Sequence, residues 1–436
     1  MSHLYFILLL LLAAISRTPL ALFLIVIKSL IPALRKRFVF ERKNFIEEEC
    51  RSFRKDCIVA DYCFEISSEG ELEQVRPVIE KFLSDKKHVE LIFSSPSVES
   101  KCLKMAQEHK GLLRVFRLPI VTHSFFFQTA QRWMSARKFI FCRYDFFPEL
   151  LILKFFGKKF ILLSAAAKNP SWFKKEVYRL FDVFVAANAR EERSFRALYG
   201  QDVQKKIFHF DFRIPRISER IQKAPETLNA HVDLSAYLAF LQTLPASNKL
   251  IMGSAWISDF GILKNDKLLE AIKTGSLHLL IVPHDLRPQS FNEMKVFLKN
   301  LLGEIPLFEM SLNSSQFNPS IPGVVLLNKS GVLCELYTRF ASAYVGGGFA
   351  RSIHSVLEPY LCGARVYCGP KIERSTEYDF IAETSPKEIH LLNDPETFYN
   401  LFISNAQHSP DLKARESLLN EAESKMESII QEIRVC

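Results

Sequence analysis

With 436 residues, 48% of them hydrophobic and 24% charged, the chain has material for more than one hydrophobic core, and its composition excludes a disordered polypeptide. A formal net charge of +9 favours anionic partners, among them phospholipid headgroups, phosphorylated substrates and nucleic acid. The nine cysteines are odd in number, scattered and without CxxC spacing, which argues against a disulfide framework or a thiolate metal site and for reduced thiols in a cytoplasmic compartment.

The first element differs from all that follows. An apolar run from Leu4 to Ile31, broken by Arg17 and Lys28 and closed by Arg35, Lys36 and Arg37, is long enough to cross a bilayer core, which needs roughly 20 apolar residues. No basic segment precedes it and no clear small-x-small site follows it, so it reads as retained rather than as a cleaved signal peptide. The expectation is a membrane anchor over residues 1–40, its basic flank holding the body on the cytoplasmic side. The alternative is a helix lying in the interface plane on its Lys28 to Arg37 face.

After a charged connector, apolar runs at 57–66, 89–95, 112–118, 138–144, 159–165 and 183–188 read as buried strands, with helical spacing between them. Such alternation predicts a parallel sheet covered by helices on both faces. The polar, proline-flanked stretch from Pro215 to Asp233 reads as the domain boundary. A second alternating series follows, at 249–255, 277–284, 323–328, 342–348 and 364–369, and SLLNEAESKMESIIQEIR closes the chain as a helix. The expected organisation is therefore an anchor over 1–40, doubly wound α/β domains over 41–225 and 226–415, and a closing helix over 416–436. Ligands of such folds bind in the cleft at the carboxyl ends of the strands.

Two constellations could carry chemistry. Gly346, Gly347 and Gly348 end a strand and precede a helix expected to begin near His354, so their amides form either a phosphate cradle or a tight turn without a ligand. IHSVLE then sets His354 and Glu358 four apart on one helix face, beside Ser355. A carboxylate there can take both hydroxyls of a ribose, or simply satisfy the helix dipole. In the first half, SSEGE at 67–71 brings Glu71 into a helix start just after a strand, where it is either a capping acid or a general base.

The order of these segments resembles the Kdo transferases, the bacterial inner-membrane enzymes that move 3-deoxy-D-manno-octulosonic acid from CMP-Kdo onto lipid A precursors. The resemblance covers nearly the whole chain. The family's S-x-G-E turn is similar to Ser68, Glu69, Gly70, Glu71, and its E-x-E-x-W-P segment to RYDFFPE from Arg143 to Glu149. G-D-x-R-x-D-R is similar to the segment that keeps Asp211, Arg213 and Arg216, and G-S-T-W to Gly253, Ser254, Ala255, Trp256. P-H-E is similar to Pro283, His284, Asp285. The G-G-G-F…I-H-N-x-L-E signature is similar to Gly346–Phe349 with Ile353, His354, Ser355 and Glu358, followed by Gly369 and Pro370. The chain departs from the family at Arg143 (an acid there), Phe147 (Trp), Phe210 (Gly) and Ser355 (Asn), and at SSPSVES, where a threonine-rich loop is expected.

The resemblance implies a GT-B fold, two Rossmann-like domains facing a central cleft, and an inverting, metal-independent transfer that uses no cofactor. It implies Glu71 as catalytic base, with Ser68, Gly70, Arg143 and Asp145 on the acceptor. The CMP-Kdo donor would meet Arg213, Ser254, Trp256, His284, Gly331, Gly346, Gly347, Gly348, His354, Ser355 and Glu358. The implied partners are CMP-Kdo, a lipid A precursor and the anionic leaflet of the bacterial inner membrane, with the catalytic domains on the cytoplasmic face. Two alternatives stand beside it: a GT-B transferase using another CMP- or UDP-sugar, and a catalytically silent paralogue that scaffolds envelope enzymes. Nucleic acid is not an expected partner, because the basic residues are dispersed and no binding signature accompanies them.

Overall fold

The computed structural model describes residues 2–119, 132–143, 146–167, 170–202, 205–311, 314–315, 317–373, 375–406 and 408–436. The chain divides into two units, Met1–Arg213 with Ser424–Cys436, and Ile214–Glu423.

The first unit opens with α1 (Ser2–Ile27). Phe6 and Leu10, one turn apart, are buried in the unit's core, and Phe6 meets Phe173 edge-on at 5.4 Å. This corrects the expected spanning anchor: among the described residues no helix is long and apolar enough to cross a membrane. Phe6 and Leu10, two of the apolar side chains that a spanning helix would offer to lipid, dock α1 on the unit instead.

Seven parallel strands follow: β1 (Tyr62–Ile66), β2 (Val89–Phe93), β3 (Leu113–Arg117), β4 (Lys138–Cys142), β5 (Lys159–Ala165), β6 (Val183–Ala186) and β7 (Lys206–His209), in the order 3-2-1-4-5-6-7. β1 is buried on both faces, as a strand covered from two sides must be. Between β1 and β2, α2 (Glu69–Ser84) buries Leu72, Val75, Ile79 and Phe82 at helical spacing.

The second unit begins within α3 (Arg213–Asn229), at Ile214. The stretch expected as a linker is mostly this helix: Ile214, Ile217, Ala224 and Leu228 form a buried stripe that its polar remainder masks in sequence. The boundary accordingly falls before that stretch, not inside it. The sheet contains β8 (Lys249–Ala255), β9 (His278–Pro283), β10 (Leu307–Ser311), β11 (Ser314–Ser315), β12 (Val324–Asn328), β13 (Ser342–Val345), β14 (Arg365–Cys368) and β15 (Ile389–Leu391). Its order is 11-10-12-9-8-13-14-15, parallel except for the β10–β11 hairpin. Two short helices, α4 (Leu333–Tyr337) and α5 (Leu357–Leu361), follow β12 and β13. The closing helix α6 (Lys413–Val435) ends within the first unit, where Ile429, Ile430 and Ile433 are buried and Lys138 donates to the Ile433 carbonyl at 3.0 Å.

The chain reverses its direction of winding between β1 and β4 in the first sheet and between β8 and β13 in the second. Loops leaving the carboxyl ends of those strand pairs diverge and open a crevice, the usual ligand position in open α/β sheets. Ser68, Gly70, Glu71 and Arg143 follow β1 and β4, while Ser254, Trp256, the glycines and His354 follow β8 and β13.

Candidate functional site

In the first unit the turn after β1 is closed by its own side chains. Ser68 Oγ accepts the N–H of Glu71 at 3.3 Å, and the Glu71 carboxylate accepts the N–H of Ser67. This reciprocal pattern satisfies two amides at the start of α2. Glu71 is only 4% exposed, so the expected base is a buried carboxylate already serving the helix start. Gly70 stands differently: a Cβ there would find nothing within 4 Å, so neighbouring protein does not demand the glycine. Arg143 sits in the left-handed region (φ 64°) and donates from Nε to Gln74 Oε1 at 3.0 Å, tying the end of β4 to α2. Asp145 lies outside the described residues. Arg213 donates from its backbone and from Nε to Asp211, at 3.0 and 2.8 Å.

In the second unit, residues far apart in sequence assemble. Ser254 adopts φ 52° where the β8–β9 register slips, which turns the chain out of the sheet towards Trp256. Gly253 is small because a Cβ would stand 1.8 Å from the Tyr337 hydroxyl. The indole N–H of Trp256 donates to His354 Nε2 at 2.9 Å. An indole nitrogen only donates, so Nε2 accepts and the proton of a neutral His354 resides on Nδ1. His284 stacks on His354 with ring centroids 4.0 Å apart, and on Trp256 at 4.8 Å. Burial, then His284 and Arg351, bring the His354 pKa down to about 4. Burial lowers that of His284 as well. The stack is thus a neutral aromatic surface at ordinary pH.

The glycine turn has a different role from the expected phosphate cradle. Gly346 donates its N–H to the Gly253 carbonyl at 2.9 Å, and Gly347 donates to Asp259 at 3.0 Å. A Cβ on Gly346 would lie 2.2 Å from the Ser254 oxygen, one on Gly347 2.6 Å from the Ser352 oxygen, and one on Gly348 2.5 Å from Gly369 Cα. The backbone that comes so close is the protein's own, and all three glycines are buried. The helix α5 also starts later than expected, so His354 and Ser355 precede it and His354 does not share a helix face with Glu358. Ser355 Oγ and the Leu357 N–H both donate to Glu377 Oε2 at 2.9 Å.

Glu358, in the first turn of α5, lies 3.8 Å from Arg220 Nη1. Arg220 also holds Glu335 and donates to the Gly331 carbonyl at 3.4 Å. Gly331 has φ 82°, and nothing lies within 4 Å of where its Cβ would stand. Three residues of this site escape the sequence reading: Asp259, Arg220 and Arg351. Asp259 follows Trp256 at the spacing of a helix-start acid, a signal the sequence does carry; the other two carry none.

The two units and their sheets define a two-domain α/β fold of the GT-B type. Solved structures similar to the chain include the UDP-GlcNAc 2-epimerase of Neisseria meningitidis bound to UDP-GlcNAc, 12% identical, covering 85% of this chain and 100% of that one at TM-score 0.56. A glycosyltransferase from Rickettsia africae is 14% identical over 86% of this chain and 98% of that one, at TM-score 0.52. The C-terminal CMP-Kdo binding domain of WaaA from Acinetobacter baumannii is 18% identical over 47% of this chain and 97% of that one, at TM-score 0.33. No protein-family model and no curated protein matches the chain. At such identities the likeness is one of fold.

Proposed function

We propose that the chain is an inverting glycosyltransferase that moves Kdo from CMP-Kdo onto a lipid A precursor. The observation that carries this reading is the assembly of Trp256, His284 and His354, drawn from three separate motif segments, into one stack. Fold alone would not suffice, since an epimerase and a glycosyltransferase are both similar to the chain. In the proposed step the acceptor hydroxyl oxygen bonds to the anomeric carbon while its proton passes to Glu71. The bond from that carbon to the CMP phosphate oxygen breaks, and its electron pair leaves with CMP. Glu71→Gln should then lower turnover by about 10² or more, and near-normal turnover removes Glu71 from the reaction.

For the donor, Trp256, His284 and His354 would form one wall, with Gly331 and Glu358 taking cytidine and ribose. Gly346–Gly348 would support that wall from behind rather than bind phosphate. The deciding experiment is mass spectrometry of a lipid A precursor incubated with the protein and a CMP-Kdo-generating system: a mass gain of one Kdo unit or more supports the reading, and an unchanged precursor beside an active control enzyme sinks it. A silent paralogue is the second reading, favoured by the burial of Glu71 and the internal use of the Gly346 and Gly347 amides.

For location, the same reading puts the chain on the cytoplasmic face of the bacterial inner membrane, attached in the interface plane. The support is the row of exposed apolar side chains on α1, including Leu8, Leu12, Ile15 and Phe23, with Phe156 and Trp172 also exposed. Flotation with anionic vesicles tests it; protein left at the bottom of the gradient argues against attachment.

A further inference from the structure

We propose that Arg351 binds an oxyanion of the donor, a carboxylate or a phosphate. This inference rests on the donor reading above and adds a residue that no motif supplied. The Arg351 guanidinium carbon lies 4.2 Å from the centroid of the Trp256 ring, over its face. Stacking fixes the plane of the guanidinium and leaves its N–H edges directed outward, the arrangement that grips a carboxylate or phosphate with two parallel hydrogen bonds. The backbone beneath is held too, with the Arg351 N–H donated to the Gly347 carbonyl at 2.8 Å.

Arg351 lines a cavity of about 250 Å³ together with Trp256, Ile257, Ser258 and Met294. Two carboxylates share that cavity, and both are otherwise engaged. Asp285 accepts from Arg287 Nε at 2.9 Å and from Ser290 at 2.8 Å, and Glu293 accepts from Gln289 at 3.0 Å. Among the described residues no carboxylate pairs with Arg351, and it is the cavity's one lining cation. The adjoining histidines are kept neutral, in part by Arg351 itself, so they supply no rival positive charge. A fixed cation without a carboxylate partner among the described residues, beside the aromatic wall of the proposed donor site, is matched by the negative charge of the donor. CMP-Kdo carries two such groups, the phosphate of CMP and the carboxylate of the octulosonic acid.

The test is calorimetric titration of the full chain and its Arg351→Gln and Arg351→Lys variants with CMP-Kdo, CMP and cytidine. Arg351 is exposed, so both variants should fold, which circular dichroism and melting temperature check. The expected result is about tenfold or greater weakening of CMP-Kdo by Arg351→Gln, with the lysine variant between it and wild type and cytidine unchanged. Weakening of CMP-Kdo with CMP unaffected assigns the contact to the carboxylate; equal weakening of both assigns it to the phosphate. An Arg351→Gln variant that binds all three as wild type does overturns the inference and leaves the donor reading intact. Wild-type protein that binds none of the three overturns the donor reading itself, and this inference with it.

Discussion

The carboxylate of Asp259 accepts the backbone N–H of Gly347 on both oxygens, at 3.0 and 3.2 Å, and one of those oxygens also takes the backbone N–H of Trp256 at 2.8 Å. The Tyr344 hydroxyl donates to the other at 3.1 Å. One fully buried acid thereby fixes the loop after β8 to the loop after β13, and the stack of Trp256 on His354 depends on that spacing. Asp259→Asn would turn an amide donor towards groups that themselves donate. It should destabilise the chain by about 2–3 kcal/mol, read as a shift in urea midpoint, and under the donor reading proposed above it should also weaken CMP binding. A variant of unchanged midpoint would show that the two loops are held by something else.

Two glycines that look alike in sequence should respond oppositely. Gly346→Ala drives a Cβ to within 2.2 Å of the Ser254 oxygen, so backbone must move, and a loss of about 2–4 kcal/mol is expected. Gly70→Ala meets nothing within 4 Å and lies in the first turn of α2, so its melting temperature should equal or slightly exceed that of wild type. If the space at Gly70 belongs to the acceptor, that same stable variant transfers more slowly. Full activity of Gly70→Ala would remove Gly70 from acceptor binding.

Acid should destabilise the second unit through His278. This residue is 7% exposed, its Nε2 lies 2.7 Å from the Tyr237 hydroxyl, and burial brings its pKa down to about 4. The unfolded chain protonates His278 near pH 6.5, whereas the folded chain does so only near 4. Between those values the unfolded state holds the extra proton, so stability falls as pH falls, by on the order of 3 kcal/mol in all for this one group. Urea unfolding at a series of pH values from 7 to 4 should show the decline, and His278→Gln should reduce its slope, the remainder coming from His354, whose pKa is also brought down to about 4. Equal slopes for variant and wild type would place the acid sensitivity elsewhere.

The architecture was legible because buried parallel strands are nearly continuous apolar runs: the run at 249–255 is β8 (Lys249–Ala255) residue for residue. β7 escaped notice because only Ile207 of its four residues is buried, so the edge strand lacks an apolar signature. β15, of three residues, is too short to leave a pattern. At the site, Trp256, His284 and His354 were named from motifs, but their contact is a property of the sheet order, which brings β9, β8 and β13 side by side. The glycine turn misled because bare backbone meets protein and phosphate equally well, and sequence does not say which is near. The first helix misled in a similar way, since apolar side chains dock on a domain by the same chemistry that places them in lipid.

Arg220 donates from Nε and Nη2 to the two oxygens of Glu335, both at 2.8 Å, and thereby links α3 to α4. Its third nitrogen lies 3.8 Å from Glu358 on α5. Glu335 is nearly buried, so Arg220→Met strands its charge and should cost about 3–5 kcal/mol. Combining it with Glu335→Gln removes the stranded charge and should restore most of that loss. The restored double variant separates folding from orientation. If Arg220 aims Glu358 at the ribose, the double variant should lose the preference for CMP over dCMP that wild type is expected to show. A folded double variant with an undiminished ribose preference would mean that Glu358 is oriented by other neighbours, leaving Arg220 a tie between α3 and α4 alone.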